Sequence, residues 1–278
     1  MPVSGGTKWL LRLGSSLTLV FLYFPLLVVA IYAFNTTRVQ TWPPKGFTLK
    51  WFDKAFHNTG VADALLTSIK VGLGATAIAI VLGSLAAYAI ARYDFFGKNS
   101  ISFLVILPIA LPGIVTGMAL NATFTQVLHK ELAIWTVIVA HATFCIVMVF
   151  NNVVARLRRT SPSLEEAAGD LGAGPMRAFR DITFPQLRSA LIAGALLAFA
   201  LSFDEVIVTT FTIGGSEETL PIWILNNLSR PRNLPVVNVV AVLVLVLSII
   251  PVYIAQRLST DPLMAVGTVK DTPPEPGN

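Results

Sequence analysis

Charged side chains are scarce in this sequence. They make up 13% of its 278 residues, roughly half the share found in soluble domains at about 25%, too few to clothe a water-facing surface. With 54% hydrophobic residues, the chain reads as a polytopic membrane protein whose apolar side chains face lipid and one another. Cysteine is nearly absent. Cys145 stands alone in an apolar run, which excludes an intrachain disulfide and a thiolate cluster and leaves the role of a small apolar residue. His57, His129 and His141 are dispersed and form no H-E-x-x-H pattern. Only His141 lies inside an apolar run, where a hydrogen bond to a neighbouring helix is expected. No G-x-x-x-x-G-K-[ST] phosphate loop occurs, so the chain is not expected to bind or hydrolyse ATP. The net charge of +5 is read through membrane topology, with no nucleic-acid partner.

What the chain does have is long apolar runs. A span needs about 20 such residues, and six runs qualify: residues 13–34, 67–90, 101–120, 132–154, 187–211 and 236–255. The first is longer than a signal-peptide core and lacks a small-x-small cleavage site, so it is read as retained. The third contains LPIALPG, where Pro108 and Pro112 each remove a backbone bond and predict a kink or local break. Small residues recur every fourth position in the second run (Ala75, Ala79, Gly83, Ala87) and in the fifth (Ala190, Gly194, Ala198, Ser202). Such ridges allow close helix approach and predict that these two helices pack centrally. Between runs, Trp51, Phe52 and Phe56 beside Lys50 and Lys54 predict a short interfacial helix. The segment 212–235 contains LPIWIL and is predicted to dip partly back into the membrane. Residues 259–278 are Pro-rich and read as a disordered cytoplasmic tail.

Six spans place both termini on one side, and positive charge selects which. With the termini inside, twelve Lys and Arg fall in inner segments and seven in outer ones. Both termini and the polar segment 155–187 are therefore expected in the cytoplasm.

That segment holds SLEEAAGDLGAGPMRAFRDITFP, residues 163–185. Ser163 and Glu166 have the spacing of a capping box. Gly172 and Gly174 can supply the left-handed residue that ends a helix, and Pro175 suits the first position of the next. The grammar is helix, turn, helix. Glu166, Ala167 and Ala168 are followed after three residues by Gly172, after nine more by Ile182, and after two more by Pro185. This is the EAA signature, with Phe184 where Leu is usual, and the chain resembles the permease subunits of ATP-binding-cassette importers.

The resemblance implies an all-α integral membrane protein with six transmembrane helices, the type I importer (MetI-like) permease fold. It would form one transmembrane domain, residues 1–258, with 155–187 as the coupling loop. It implies that Glu165, Glu166, Ala167, Ala168, Asp170, Leu171, Gly172, Ala173, Gly174, Ile182 and Pro185 dock a cytoplasmic ATPase, with Glu166 capping its helix. The implied partners are a second, different permease, two ATPase subunits and an extracytoplasmic solute-binding protein, at a bacterial inner membrane. ATP and Mg would belong to the ATPase, and this chain would be non-catalytic and hold no cofactor.

Asp204 and Glu205 close the apolar part of the fifth run. At 1.5 Å per residue, Asp204 stands about 24 Å along a helix from Arg188, in the outer part of a core about 30 Å thick. Ionisable residues there are costly and face a cavity or a partner. They form an acidic patch on a path for a cationic substrate, with Ser202, Thr209 and Thr210 adding polar lining, or an ion pair or hydrogen bond with a neighbouring subunit, or they are simply exposed at the outer membrane boundary. The strings SFDEVIVTTFTIG and LPIWILNNL, with VNVVAVLVLVL, resemble the second permease of spermidine/putrescine importers and imply a polyamine substrate. Permeases for other small amines, phosphonates or iron share much of the pattern. Two other classes stand against this: a proton-driven secondary carrier using Asp204 and Glu205, and a membrane-embedded enzyme, which lacks a nucleophile or metal partner here.

Overall fold

A computed structural model describes residues 5–215 and 217–259. The elements are α1 (Gly5–Ala33), α2 (Lys50–Phe56), α3 (Thr59–Arg92), α4 (Lys98–Ala110), α5 (Gly113–Ala122), α6 (Ile134–Arg158), α7 (Ser163–Asp170), α8 (Pro175–Ala178), α9 (Phe184–Phe203), α10 (Ile207–Thr212), α11 (Leu220–Leu228) and α12 (Leu234–Ser259). Short π turns follow α5 at Thr123–Val127 and α8 at Phe179–Thr183. No β-strand occurs among the described residues, only an isolated bridge between Asn35 and Phe47. Of the tail expected at residues 259–278, Ser259 ends α12 and residues 260–278 lie outside the described residues.

Among the described residues, four helical stretches are long and apolar enough to cross a membrane: residues 6–33, 59–92, 134–158 and 175–203. A fifth is broken, since α4 and residues 113–127 meet at an angle of 104°. The break follows from Pro112, which holds Leu111 in an extended conformation (φ −84°, ψ 143°) and cannot continue the helix. Pro108 is absorbed inside α4. Residues 234–249 of α12 form a shorter apolar stretch.

The chain folds as two compact units. The first combines the chain up to Val71 with Gly117–Val137 and Phe203–Ser248. Its core is built from Ala33, Trp51 and Ala55 of α2, Ala64, Leu220 and Trp223 of α11, and the valines at 236, 237, 239 and 240. The short helix at residues 50–56 forms where its aromatics predict it, but Trp51 is only 3% exposed. Its indole N–H donates to the Asn35 carbonyl at 2.7 Å, and that bond lets the ring enter the core at no polar cost. Phe56 alone of the three aromatics stays largely exposed, while Phe52 packs beside Phe34. The LPIWIL string becomes α11, whose first N–H donates to the Ser68 hydroxyl at 2.8 Å.

The second unit contains Gly72–Thr116 and Ile138–Ser202. Here the small-residue ridges meet a common neighbour. A Cβ on Gly83 of α3 would stand 2.9 Å from the Ile146 carbonyl oxygen, and one on Gly194 of α9 would stand 3.0 Å from the Val149 Cα. Both ridges therefore close on α6, which is the most buried of the long helices. The two ridged helices, expected to pack centrally, both grip a third. α3 and α9 also meet directly, where Phe199 packs over Gly72.

Candidate functional site

The polar segment between α6 and α9 forms the predicted helical hairpin, with one correction at its start. Pro162, not Ser163, occupies the N-cap position of α7, and its carbonyl accepts from the N–H groups of Glu165 and Glu166 at 2.9 and 3.1 Å. The Ser163 hydroxyl lies 2.7 Å from that of Ser161, and Ser161 Oγ accepts from the Ser163 N–H. The capping box between Ser163 and Glu166 therefore does not form, because the helix begins one residue too early for it.

The far end of α7 follows its sequence signal. Gly172 sits at φ +82°. Its N–H donates to the Gly169 carbonyl and that of Ala173 to the Ala168 carbonyl, both at 2.9 Å, the paired bonds of a Schellman cap. Gly174 is extended instead (φ −66°, ψ 160°) and precedes Pro175, the first residue of α8. Because nothing lies within 4 Å of a Cβ built at Gly172, a side chain there meets only backbone strain. We expect Gly172→Val to lower the thermal midpoint of the purified protein and Gly172→Asn to retain most of it, since the left-handed region costs about 1–2 kcal/mol for ordinary residues and less for Asn.

After α8 the backbone widens into the π turn, in which the Phe184 N–H donates to the Phe179 carbonyl. Pro185 has no N–H for the carbonyl four residues back, and its ring would crowd it. Thr183 is buried, Ile182 is half-buried and Pro185 is exposed. Glu166, Ala167 and Asp170 are exposed, while Ala168 and Ala173 are half-buried. Two large apolar side chains at the turn point outward, Leu171 at 89% and Met176 at 77% exposure. Apolar side chains held outward on a polar hairpin form a surface suited to a protein partner.

Glu165 is turned the other way. Its Oε1 accepts from Arg92 Nε and Nη2 at 3.1 and 3.0 Å, and the Tyr88 hydroxyl donates to its Oε2 at 3.3 Å. Arg92 and Tyr88 are site residues that sequence reasoning missed. A lone Arg at the end of an apolar run carries no signal of a partner 73 positions away.

The acidic pair is arranged differently from expectation. The fifth run is not one helix through residue 211, since α9 stops at Phe203 and α10 starts at Ile207. Glu205 makes the new start: its Oε1 accepts from the Val208 N–H at 2.9 Å, and its carbonyl accepts from the Thr209 hydroxyl at 2.7 Å. Thr209 is fully buried. Ser202 is also buried, and its hydroxyl lies 2.7 Å from His141 Nδ1, so the expected bond of His141 to a neighbouring helix is present. Asp204 is exposed, and with Phe203, Val206, Leu220, Pro221 and Ile224 it lines an apolar groove of about 330 Å³. A separate polar hollow of about 500 Å³ in the same unit is lined by Asp63, Lys70, Glu217, Glu218 and Trp223. No group of three or more potential metal ligands occurs among the described residues.

Residues 79–261, a stretch that includes the whole hairpin, match the family described as binding-protein-dependent transport system inner membrane component. The chain belongs to that family. This permease is similar to the putrescine transport system permease protein PotI of Escherichia coli, at 34% identity over 232 residues, covering 81% of this chain and 82% of that protein. It is equally similar to the spermidine/putrescine transport system permease protein PotC of Escherichia coli, 34% identical over 242 residues and covering 87% and 90%. In fold the permease resembles a chain from the crystal structure of a bacterial ABC transporter involved in import of the acidic polysaccharide alginate. That match has a TM-score of 0.67 and covers 96% of this chain and 100% of that one. At 16% identity, it speaks for the fold alone.

Proposed function

We propose that this permease imports polyamines, driven by ATP hydrolysis on separate cytoplasmic subunits that bind its α7–α8 hairpin. The observation that carries the reading is the hairpin itself, a capped turn that holds Glu166, Leu171 and Met176 outward. In this reading the six spans are α1, α3, the broken α4–α5 pair, α6, α9 and α12. The positive-charge balance puts both termini and the hairpin on the cytoplasmic side. A second, different permease completes the membrane part, and the segment 212–235 helps receive an extracytoplasmic solute-binding protein. ATP and Mg belong to the ATPase, which leaves this chain the work of opening and closing a path.

The polyamine assignment is supported by the two relatives named for putrescine transport and by exposed Asp204, which can attract an ammonium group. The test is uptake of labelled putrescine and spermidine by cells with and without this chain. Asp204→Asn is expected to lower uptake about tenfold, the equivalent of ~1.4 kcal/mol of lost attraction. Glu205→Gln is expected to do less, because an amide oxygen can still accept from the Val208 N–H. Wild-type uptake of both polyamines without this chain would move the substrate to another amine, a phosphonate or an iron complex. Uptake that survives Glu166→Lys but collapses with an uncoupler would replace the reading with a proton-driven carrier.

A further inference from the structure

Two carboxylates adjacent in sequence, Glu165 and Glu166, face opposite environments in the hairpin. The Glu165 side chain is 18% exposed and the Arg92 side chain 9%. The Glu166 side chain is exposed and makes no hydrogen bond or ion pair among the described residues. We infer that the two divide the work: Glu166 faces the ATPase, and Glu165, clasped by Arg92 and Tyr88, is the positioning residue that carries hairpin movement into α3. The inference rests on the ATPase-coupled reading above.

The geometry supports a latch better than a stray surface pair. Arg92 is the last residue of α3, and its guanidinium does more than meet Glu165. Its Nη1 also donates to the carbonyls of Leu157 and Thr160, each at 3.4 Å, where α6 comes to its C-terminal end. One side chain therefore ties the ends of α3 and α6 to the first turn of α7. Each charge also suits its helix end, the carboxylate at the N-terminus of α7 and the cation at the carbonyl end of α6. Tyr88 precedes Arg92 by four residues and so shares its face of α3. Its ring meets Phe179 edge-on, with centroids 6.0 Å apart. Both halves of the hairpin are thus held to one turn of α3.

Exposed ion pairs contribute little and move freely. This one is largely shielded from water, and removing one partner would strand the charge of the other. A push on the hairpin is therefore transmitted to α3, whose Gly83 packs against the α6 backbone. Glu166 has no such tie, and a change there acts on docking rather than on transmission.

The test uses the whole transporter in proteoliposomes, with both permeases, the ATPase subunits and the solute-binding protein. Two quantities are read: the amount of ATPase subunit that co-purifies, and polyamine imported per ATP hydrolysed. For Glu165→Gln we expect ATPase retention within about threefold of wild type, with import per ATP falling about 5- to 150-fold, the usual range of coupling between sites. For Glu166→Gln the larger loss should be in retention. Arg92→Lys, which keeps a cation and a donor, should retain more of the import per ATP than the neutral Arg92→Gln, which a purely packing role would not predict. Unchanged import per ATP in Glu165→Gln, or a loss that merely follows ATPase retention, overturns the inference. If Glu165→Gln fails to assemble, Tyr88→Phe and the two Arg92 variants decide it. Wild-type coupling in Tyr88→Phe with Arg92→Lys no better than Arg92→Gln overturns it equally. A wild-type complex that retains no ATPase would sink the ATPase-coupled reading itself, and this inference with it.

Discussion

Glu166→Lys is expected to abolish polyamine uptake while leaving the permease inserted and folded. The carboxylate lies in the first turn of α7, where a negative charge is favoured and a positive one costs about 0.3–1 kcal/mol at an exposed site. That is small against the stability of the protein, and no bond among the described residues is lost. At a docked surface the same change costs far more. A charge pair broken at a buried interface is worth about 2–5 kcal/mol, so ATPase affinity should fall at least about 30-fold. The measurement has three parts: membrane-inserted protein, ATPase retained on purification, and uptake. Normal insertion with lost retention and lost uptake is the expected result. Normal uptake would remove the hairpin from the docking role.

The second large effect is expected at Gly83. A Cβ there would meet the Ile146 carbonyl oxygen at 2.9 Å and the Phe150 nitrogen at 3.2 Å, both backbone atoms that cannot swing aside. Overpacking a tight contact costs about 1–3 kcal/mol where side chains can yield, and here the backbone of α6 itself would have to move. Gly83→Ala should therefore sharply lower the yield of monodisperse protein in detergent. Gly74 makes the comparison fair. Its Cβ would approach Ile138 at 3.0 Å, but only through side-chain atoms that can rotate. Gly74→Ala should purify near the wild-type level, with a modest fall in thermal midpoint. Equal behaviour of Gly74→Ala and Gly83→Ala would contradict the packing of the α3 ridge on α6.

Neighbouring residues carried much of what the chain is. Long apolar runs mark the helices, because a helix satisfies its backbone bonds within itself wherever water is excluded. Pro112 marks the break between α4 and α5 and Gly172 the end of α7, because each acts on the few backbone torsions around it. The EAA spacing marks the hairpin for the same local reason. Where local grammar misled, it was by a residue or a few. The capping box at Ser163 failed because Pro162 took the N-cap position, and the fifth run was broken at 204–206 by hydrogen bonds of Glu205 that hydropathy does not register.

The sequence by itself thus determined the helical class, the helix–turn–helix hairpin and the family, since contiguous residues suffice for each. Tertiary structure alone decided that α6 is the helix both small-residue ridges grip, that Ser202 is committed to His141, and that Glu165 turns inward to Arg92 while Glu166 stays out. These depend on side chains 61 and 73 positions apart meeting at hydrogen-bond distance, and no period or spacing along one chain encodes which distant faces will touch.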